Sequence, residues 1–213
     1  MSRDDDASEP VDAAFRVGPA TIDDLDAVTD LWVDLARDQR RHGSTLLARA
    51  NRPAVREWVA RSTVTGELLV ARSTAVEGRT TVRSDAGGEP TAVIGFVGFT
   101  LERDGYERDH TRGVVSNLYV RPERRGEGVG AALLAAAEDA LAEAGVNAVA
   151  LEALVDNERA RSFYAEHGYE PNRVELRKSL DDSGGMDESD DTDEIDGTDT
   201  DDTATTDGST NSG

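Results

Sequence analysis

Cysteine is absent from the 213 residues, which removes disulfides, thiolate metal sites and a cysteine nucleophile together. Histidine occurs only at His42, His110 and His167, too scattered for a His-rich metal centre, so no metal is expected. Lysine is represented by Lys178 alone. No run approaches the roughly 18 apolar residues of a membrane span, and Met1 to Pro10 has no apolar signal-like core. Positive charge is outweighed, with 23 Lys+Arg against 44 Asp+Glu and a net charge of -21. Such a surface argues against nonspecific binding to nucleic-acid phosphates and against an anionic membrane as partners. The expectation is a soluble protein of a reducing, cytoplasmic compartment.

The acidity is concentrated at the ends. Residues 181–213 hold 13 acidic and no basic residues among Thr, Ser and Gly, a composition with almost nothing to bury, and are expected to form a disordered acidic tail. Asp191, Asp193 and Asp196-Gly197 approach a calcium-loop pattern, but Ile195 falls on a ligand position and the closing Glu is missing. Residues 1–12 form a second acidic segment, with five acidic residues and one Arg. Residues 13–180 then carry 26 acidic against 22 basic residues, a nearly balanced body of ordinary domain size. Acid excess with Arg in place of Lys suits hydration in concentrated salt, and a GC-rich coding bias would favour Arg as well.

The body alternates strands and helices. Phe15 to Val17 is a short strand, and Thr21 with Asp24 three residues later marks a helix start of the capping type. Leu25, Val28, Trp32 and Leu35 recur at helical spacing, and a second helix starts near Pro53 with Val55, Trp58 and Val59 on one face. Glu67 to Arg72, Thr91 to Leu101 and Val114 to Val120 read as strands. Gly128 to Ala144 reads as a helix with Leu134, Ala137, Leu141 and Ala144 on one side and Gly145 closing it. Val149, Leu151, Ala153 and Val155 alternate as a strand. Asp156-Asn157 starts a helix running to His167, and Tyr169 to Leu180 supplies one or two closing strands.

The most informative stretch follows the Val114 to Val120 strand: Arg121-Pro122-Glu123-Arg124-Arg125-Gly126-Glu127-Gly128-Val129-Gly130-Ala131. A basic, glycine-rich loop running into a helix is an anion cradle, because glycines let a phosphate reach backbone N–H groups and the helix N-terminus carries partial positive charge. Arg124 and Arg125 are expected to add full charges. A dinucleotide fingerprint fits Gly126, Gly128 and Ala131 only superficially, since five residues separate the strand from the first glycine and too little chain follows for a doubly wound sheet. A P-loop fails for want of Gly-Lys-Ser/Thr.

These residues resemble the GCN5-related N-acetyltransferase (GNAT) superfamily. Arg125-Gly126-Glu127-Gly128-Val129-Gly130 is similar to its acyl-CoA loop, R/Q-x-x-G-x-G/A, and Leu118-Tyr119-Val120-Arg121-Pro122 to the strand and turn before it. The segment from Asn157 to Tyr169 resembles its N-x-x-A-x-x-x-Y-x-x-x-G-F/Y helix. The resemblance implies the acyl-CoA N-acyltransferase fold, an α/β architecture with a mixed central sheet flanked by helices, over about Phe15 to Leu180. It also implies acetyl-CoA as co-substrate.

Each matching residue takes an implied role. Backbone groups of the Leu118-Tyr119-Val120 strand, those of Leu118 and Val120 in particular, would hold the pantetheine arm like an added strand. Backbone N–H groups from Arg125 through Gly126, Glu127, Gly128, Val129 and Gly130 to Ala131 would bind the pyrophosphate. Asn157 would hydrogen-bond the cofactor or serve as a plain helix N-cap. Tyr164 would protonate the departing thiolate, or else pack as a core aromatic beside Phe163. With no Cys, the acceptor amine would attack the thioester directly. Ser116 and Asn117 stand on the central strand where many relatives place a carboxylate, so an obvious base is absent; Glu152 on the next strand and Glu102 at the end of the previous one would relay a proton through water or else be plain solvent-facing carboxylates, with His110 a weaker choice. Arg40-Arg41-His42 would recognise an anionic group on the acceptor or form a solvated loop.

The expected reaction is acetyl transfer to a primary amine, on a small molecule or a protein amino group, by a monomer or homodimer. The other class of reading is a catalytically silent acyl-CoA-binding or regulatory module.

Overall fold

Apolar residues alternating along the strands place five of them in one sheet, two-faced and covered by helices on both sides. The computed structural model describes residues 14–74, 92–102 and 111–179. In chain order it contains β1 (Phe15–Pro19), α1 (Leu25–Arg40), α2 (Arg52–Thr65), β2 (Leu68–Ser73), β3 (Val93–Leu101), β4 (Arg112–Val120), α3 (Val129–Glu143), β5 (Ala148–Leu151) and α4 (Glu158–Glu166). The strands lie in the order β1-β2-β3-β4-β5. The first four pair antiparallel, and β5 pairs parallel to β4. The sheet is therefore mixed, as expected.

On β2, Leu68 and Val70 enter one buried cluster with α1 and α2, whereas Leu69 and Ala71 enter the other with α3. This alternation is the period-2 pleat of a strand buried on both faces. Leu25, Val28, Trp32 and Leu35 lie in the first cluster, and Leu134, Ala137 and Leu141 in the second, where the spacing placed them. Ala144 departs from the pattern and is exposed, because α3 ends one residue earlier and Gly145 turns the chain at φ +84°. A short 3₁₀ turn, Ile22–Asp24, precedes α1. The carboxylate of Asp24 accepts from the Thr21 N–H at 2.7 Å and pairs with Arg72 at 2.5 Å, tying the start of α1 to β2.

The register of β3 against β4 shifts at one place: Gly98 faces Asn117 while Phe99 faces Val115. Ser116 is left without a partner, a bulge that bends β4. Gly98 is required here for space as well. A Cβ at that position would lie 2.6 Å from the ring of Trp58 on α2. Gly98→Ala is expected to destabilise the domain by about 1–3 kcal/mol through overpacking, measured as a fall in the midpoint of thermal or urea unfolding.

Two sequence expectations are corrected. The strand expected from Val149 to Val155 ends at Leu151, opposite Val115, because the ladder with β4 stops at the bulge. Tyr169 onward was expected to close the sheet, yet residues 169–179 form no strand. The chain divides at this point, one compact unit ending at Glu170 and a second beginning at Pro171. In the second, Val174 and Leu176 are exposed. Residues 1–12, 181–213 and His110 lie outside the described residues. Among the described residues no helix is long and apolar enough to cross a membrane.

Candidate acyl-CoA site

Beyond Val115 and Leu151, β4 continues for five residues without β5 beside it. The Arg121 N–H donates to Ile94 O on β3 at 2.9 Å. Peptide groups alternate sides along a strand, so those of Tyr119 also face β3 and those of Leu118 and Val120 face the open edge. Of the three residues expected to hold an extended ligand arm, only Leu118 and Val120 therefore offer it backbone groups. Tyr119 turns its ring into the α1-side core, 6% exposed. Burial raises its hydroxyl pKa; Arg125 works against this, and Asp34 and Asp38 on α1 add to it.

Immediately after this edge, a 3₁₀ turn (Pro122–Arg124) leads into the glycine loop. Gly126 and Gly128 take φ +87° and +82°, left-handed values at which other residues are strained. Gly128 is the N-cap of α3 and supplies no side chain to cap it. The first helical bond is Ala132 N–H to Gly128 O at 3.0 Å. Consequently the backbone N–H groups of Gly126, Glu127, Gly128, Val129, Gly130 and Ala131 have no acceptor in the described chain. Six consecutive unsatisfied donors at a helix N-terminus form an anion site by chemistry as well as by sequence. The residues present thus fit a pyrophosphate.

Arg124 and Arg125 do not play the part expected of them. Arg124 Nε donates to Glu127 at 2.8 Å and its Nη1 to Ser73 Oγ at 3.3 Å. Arg125 Nε donates to the Val120 carbonyl at 3.0 Å and its Nη2 to Asp38 at 3.2 Å. The Arg125 backbone N–H is also engaged, with Pro122 O at 3.3 Å, so the open donors start one residue later than the motif suggests. In so acidic a chain the planar guanidinium finds carboxylate partners nearby, and both side chains act as ties within the protein.

On α4, Asn157 Oδ1 accepts from the Ala160 N–H at 3.1 Å, the N-cap role. Its amide nitrogen remains available to a ligand. Phe163 approaches the first turn of α3: a Cβ on Gly130 would lie 3.6 Å from its ring. Tyr164 packs edge-on against Phe163 and Tyr169, with ring centres 5.3 and 5.8 Å away. The half-buried ring packs as a core aromatic, and its hydroxyl has no hydrogen-bond partner among the described residues. Burial raises its pKa, which keeps the hydroxyl protonated.

Tyr169 fastens the end of this segment, its hydroxyl donating to Glu138 on α3 at 2.6 Å. Burial, then Glu138, raises its pKa strongly. Tyr169→Phe is expected to cost about 1 kcal/mol, the lower range for a bond to a charged group that is partly solvated. Because the folded state holds the proton more tightly, this contribution is fully present below the unfolded pKa, about 10, and is lost as pH rises above it. Unfolding curves of the two proteins should therefore converge in strong alkali.

The expected bases separate. Glu152 follows the last paired residue of β5 and is exposed, with no ion pair among the described residues. Leu151, the last residue of β5, packs on the α3 side, and Glu152 stands just past the strand's end. Glu102 instead pairs with Arg112 at 3.3 Å. It sits about 13 Å along the sheet from the bulge at a strand rise of about 3.3 Å per residue, which removes it as a base. Arg40, Arg41 and His42 are engaged with Leu46 O, Asp38 and Asp156 O respectively. The last contact joins the α1–α2 connection to the loop before Asn157. Sequence reasoning missed Asp38; the signal was the four-residue repeat Asp26, Asp30, Asp34, Asp38, one charged stripe on α1.

Residues 72–169 match the model of the Acetyltransferase (GNAT) family. Over 75 residues the chain is 35% identical to N-alpha-acetyltransferase 30 of Schizosaccharomyces pombe, covering 35% of this chain and 50% of that protein. It thus spans about half the length of the curated relative it matches. Among solved structures, the GCN5-related N-acetyltransferase from Ralstonia eutropha is similar with a TM-score of 0.58 and 24% identity, over 78% of this chain and 98% of that one. The transcriptional regulator from Bacillus halodurans gives 0.55 and 16%, over 78% and 99%. At these identities the solved structures establish the fold.

Proposed function

We infer that this chain, whose residues 72–169 match the GNAT family of acetyltransferases, transfers the acetyl group of acetyl-CoA to a primary amine. The observation that carries the reading is the run of six unsatisfied N–H groups, Gly126 to Ala131, continuous with the open edge of β4 at Leu118 and Val120.

Acetyl-CoA supplies an acyl group already activated as a thioester. The protein's part is placement and proton handling. The 126–131 loop fixes the pyrophosphate, and the Leu118 and Val120 edge aligns the arm beside the bulge. The Leu118 N–H, on the open edge of β4, would stabilise negative charge on the thioester oxygen. As the amine nitrogen bonds to the acyl carbon and the C–S bond breaks, the Tyr164 hydroxyl gives its proton to the sulfur. Glu152, exposed just past the end of β5, passes the amine's proton to solvent. An amine with a pKa near 10.4 must lose that proton first, so activity should rise with pH through the neutral range.

The acceptor is either a small amine or a protein amino group, and the likeness to an N-alpha-acetyltransferase places peptide α-amines first on the panel to be tested. The assay follows CoA release from the full-length protein with peptides, lysine derivatives and small amines, in low and in molar salt. Release with one amine class supports the reading. Intact acetyl-CoA binding without release on any amine would support a silent acyl-CoA-binding module, a second reading favoured by Ser116 and Asn117 standing where a base on β4 would be.

A further inference from the structure

The side chain that opens the loop is bound within the protein. Arg125 Nε holds the Val120 carbonyl at 3.0 Å, Nη2 holds Asp38 at 3.2 Å, and the guanidinium carbon lies 5.4 Å from the centre of the Tyr119 ring. The Arg125 and Asp38 side chains are 23% and 32% exposed, a partly desolvated pair less weakened by water and salt than a surface one. Asp38 sits in the last turn of α1 and also pairs with Arg41 at 3.1 Å. Two elements, α1 and the loop, therefore meet β4 through one guanidinium.

We propose that Arg125 is a positioning residue whose guanidinium, held by Asp38, fixes the start of the 126–131 loop against the last carbonyl of β4. The loop N–H groups are thereby converged before a ligand arrives. The inference rests on the reading of this loop as the acetyl-CoA pyrophosphate site. A loop ordered in advance spares the ligand the cost of ordering it, and the gain appears as affinity. A planar fork serves a carbonyl and a carboxylate from two fixed, separated nitrogens, whereas the ammonium of Lys offers its three donors from one point on a flexible stem and cannot reproduce that spacing.

The test is a double-mutant cycle on the full-length protein, with acetyl-CoA binding followed by calorimetry and folding by thermal melts. Arg125→Gln and Asp38→Asn are each expected to weaken acetyl-CoA binding by about tenfold, and the double mutant by no more than the weaker single, since both remove one device. Arg125→Lys should remain at least about fivefold weaker than wild type. In turnover, KM for acetyl-CoA should rise while kcat at saturation stays within about twofold.

Four results would overturn the proposal: Asp38→Asn binding like wild type while Arg125→Gln is weak, which would mean direct contact with the anion; effects that multiply in the double mutant; no loss in either single variant; or full affinity in Arg125→Lys. Should Arg125→Gln lose its cooperative melt, Asp38→Asn and Arg125→Lys decide by the same criteria. If wild type itself fails to bind acetyl-CoA, the underlying site reading falls; wild-type binding with unaffected variants removes the Arg125 proposal alone.

Discussion

Tyr164→Phe is expected to lower kcat by about 100-fold or more while leaving acetyl-CoA affinity within about twofold. The ring is held by Phe163 and Tyr169, and Phe keeps those contacts. Only the hydroxyl is lost, and it has no protein partner among the described residues whose loss would disturb the fold. Burial raises the Tyr164 pKa, so the proton is retained at every pH below the ordinary tyrosine value of about 10. The acid-dependent limb of kcat must therefore lie above that value and should vanish in the variant. Stopped turnover assays across pH, paired with calorimetry, separate loss of the acid from loss of binding. Unchanged kcat would leave Tyr164 with a packing role only.

Gly128→Asp is expected to abolish acetyl-CoA binding, by about 100-fold or more, at a stability cost of only about 1–2 kcal/mol from the left-handed backbone. Asp is a favoured N-cap residue and tolerates the left-handed backbone better than most. Position 128 has φ +82°, strained for any side chain, but nothing lies within 4 Å of an added Cβ, so the cost is backbone strain without a clash and the carboxylate stands beside the donors of the first turn of α3. Those same donors are the ones left open for the anion, and a carboxylate among them both competes for the N–H groups and repels phosphate. Melting curves should stay within a few degrees of wild type while the binding heat disappears. Retained binding would place the pyrophosphate elsewhere.

Much of this site was legible before any coordinates. The glycine loop, the strand before it and the Asn157 to Tyr169 helix are local patterns, fixed by residues a few positions apart. The apolar spacing of α1 and α3 likewise identified Val28, Trp32, Leu134 and Leu141 as core. What sequence could not carry was pairing between distant segments. Arg125 looked like a free charge because its partner Asp38 is 87 positions away, and Glu102 looked available because its ion pair with Arg112 closes only when β3 and β4 fold back. The β5 strand appeared longer than it is because alternation of Ala153 and Val155 continues past the point where β4 bulges and leaves nothing to pair with.

The central claim is that the backbone from Gly126 to Ala131 receives the cofactor's pyrophosphate. At 22.8 kDa the protein is within reach of backbone-amide NMR, and titrating acetyl-CoA into the labelled full-length chain tests the claim most directly. The account predicts that the amide signals of these six residues, with Leu118 and Val120, move furthest and saturate together. No saturable shift at millimolar acetyl-CoA, or shifts confined to residues away from this loop, would contradict it.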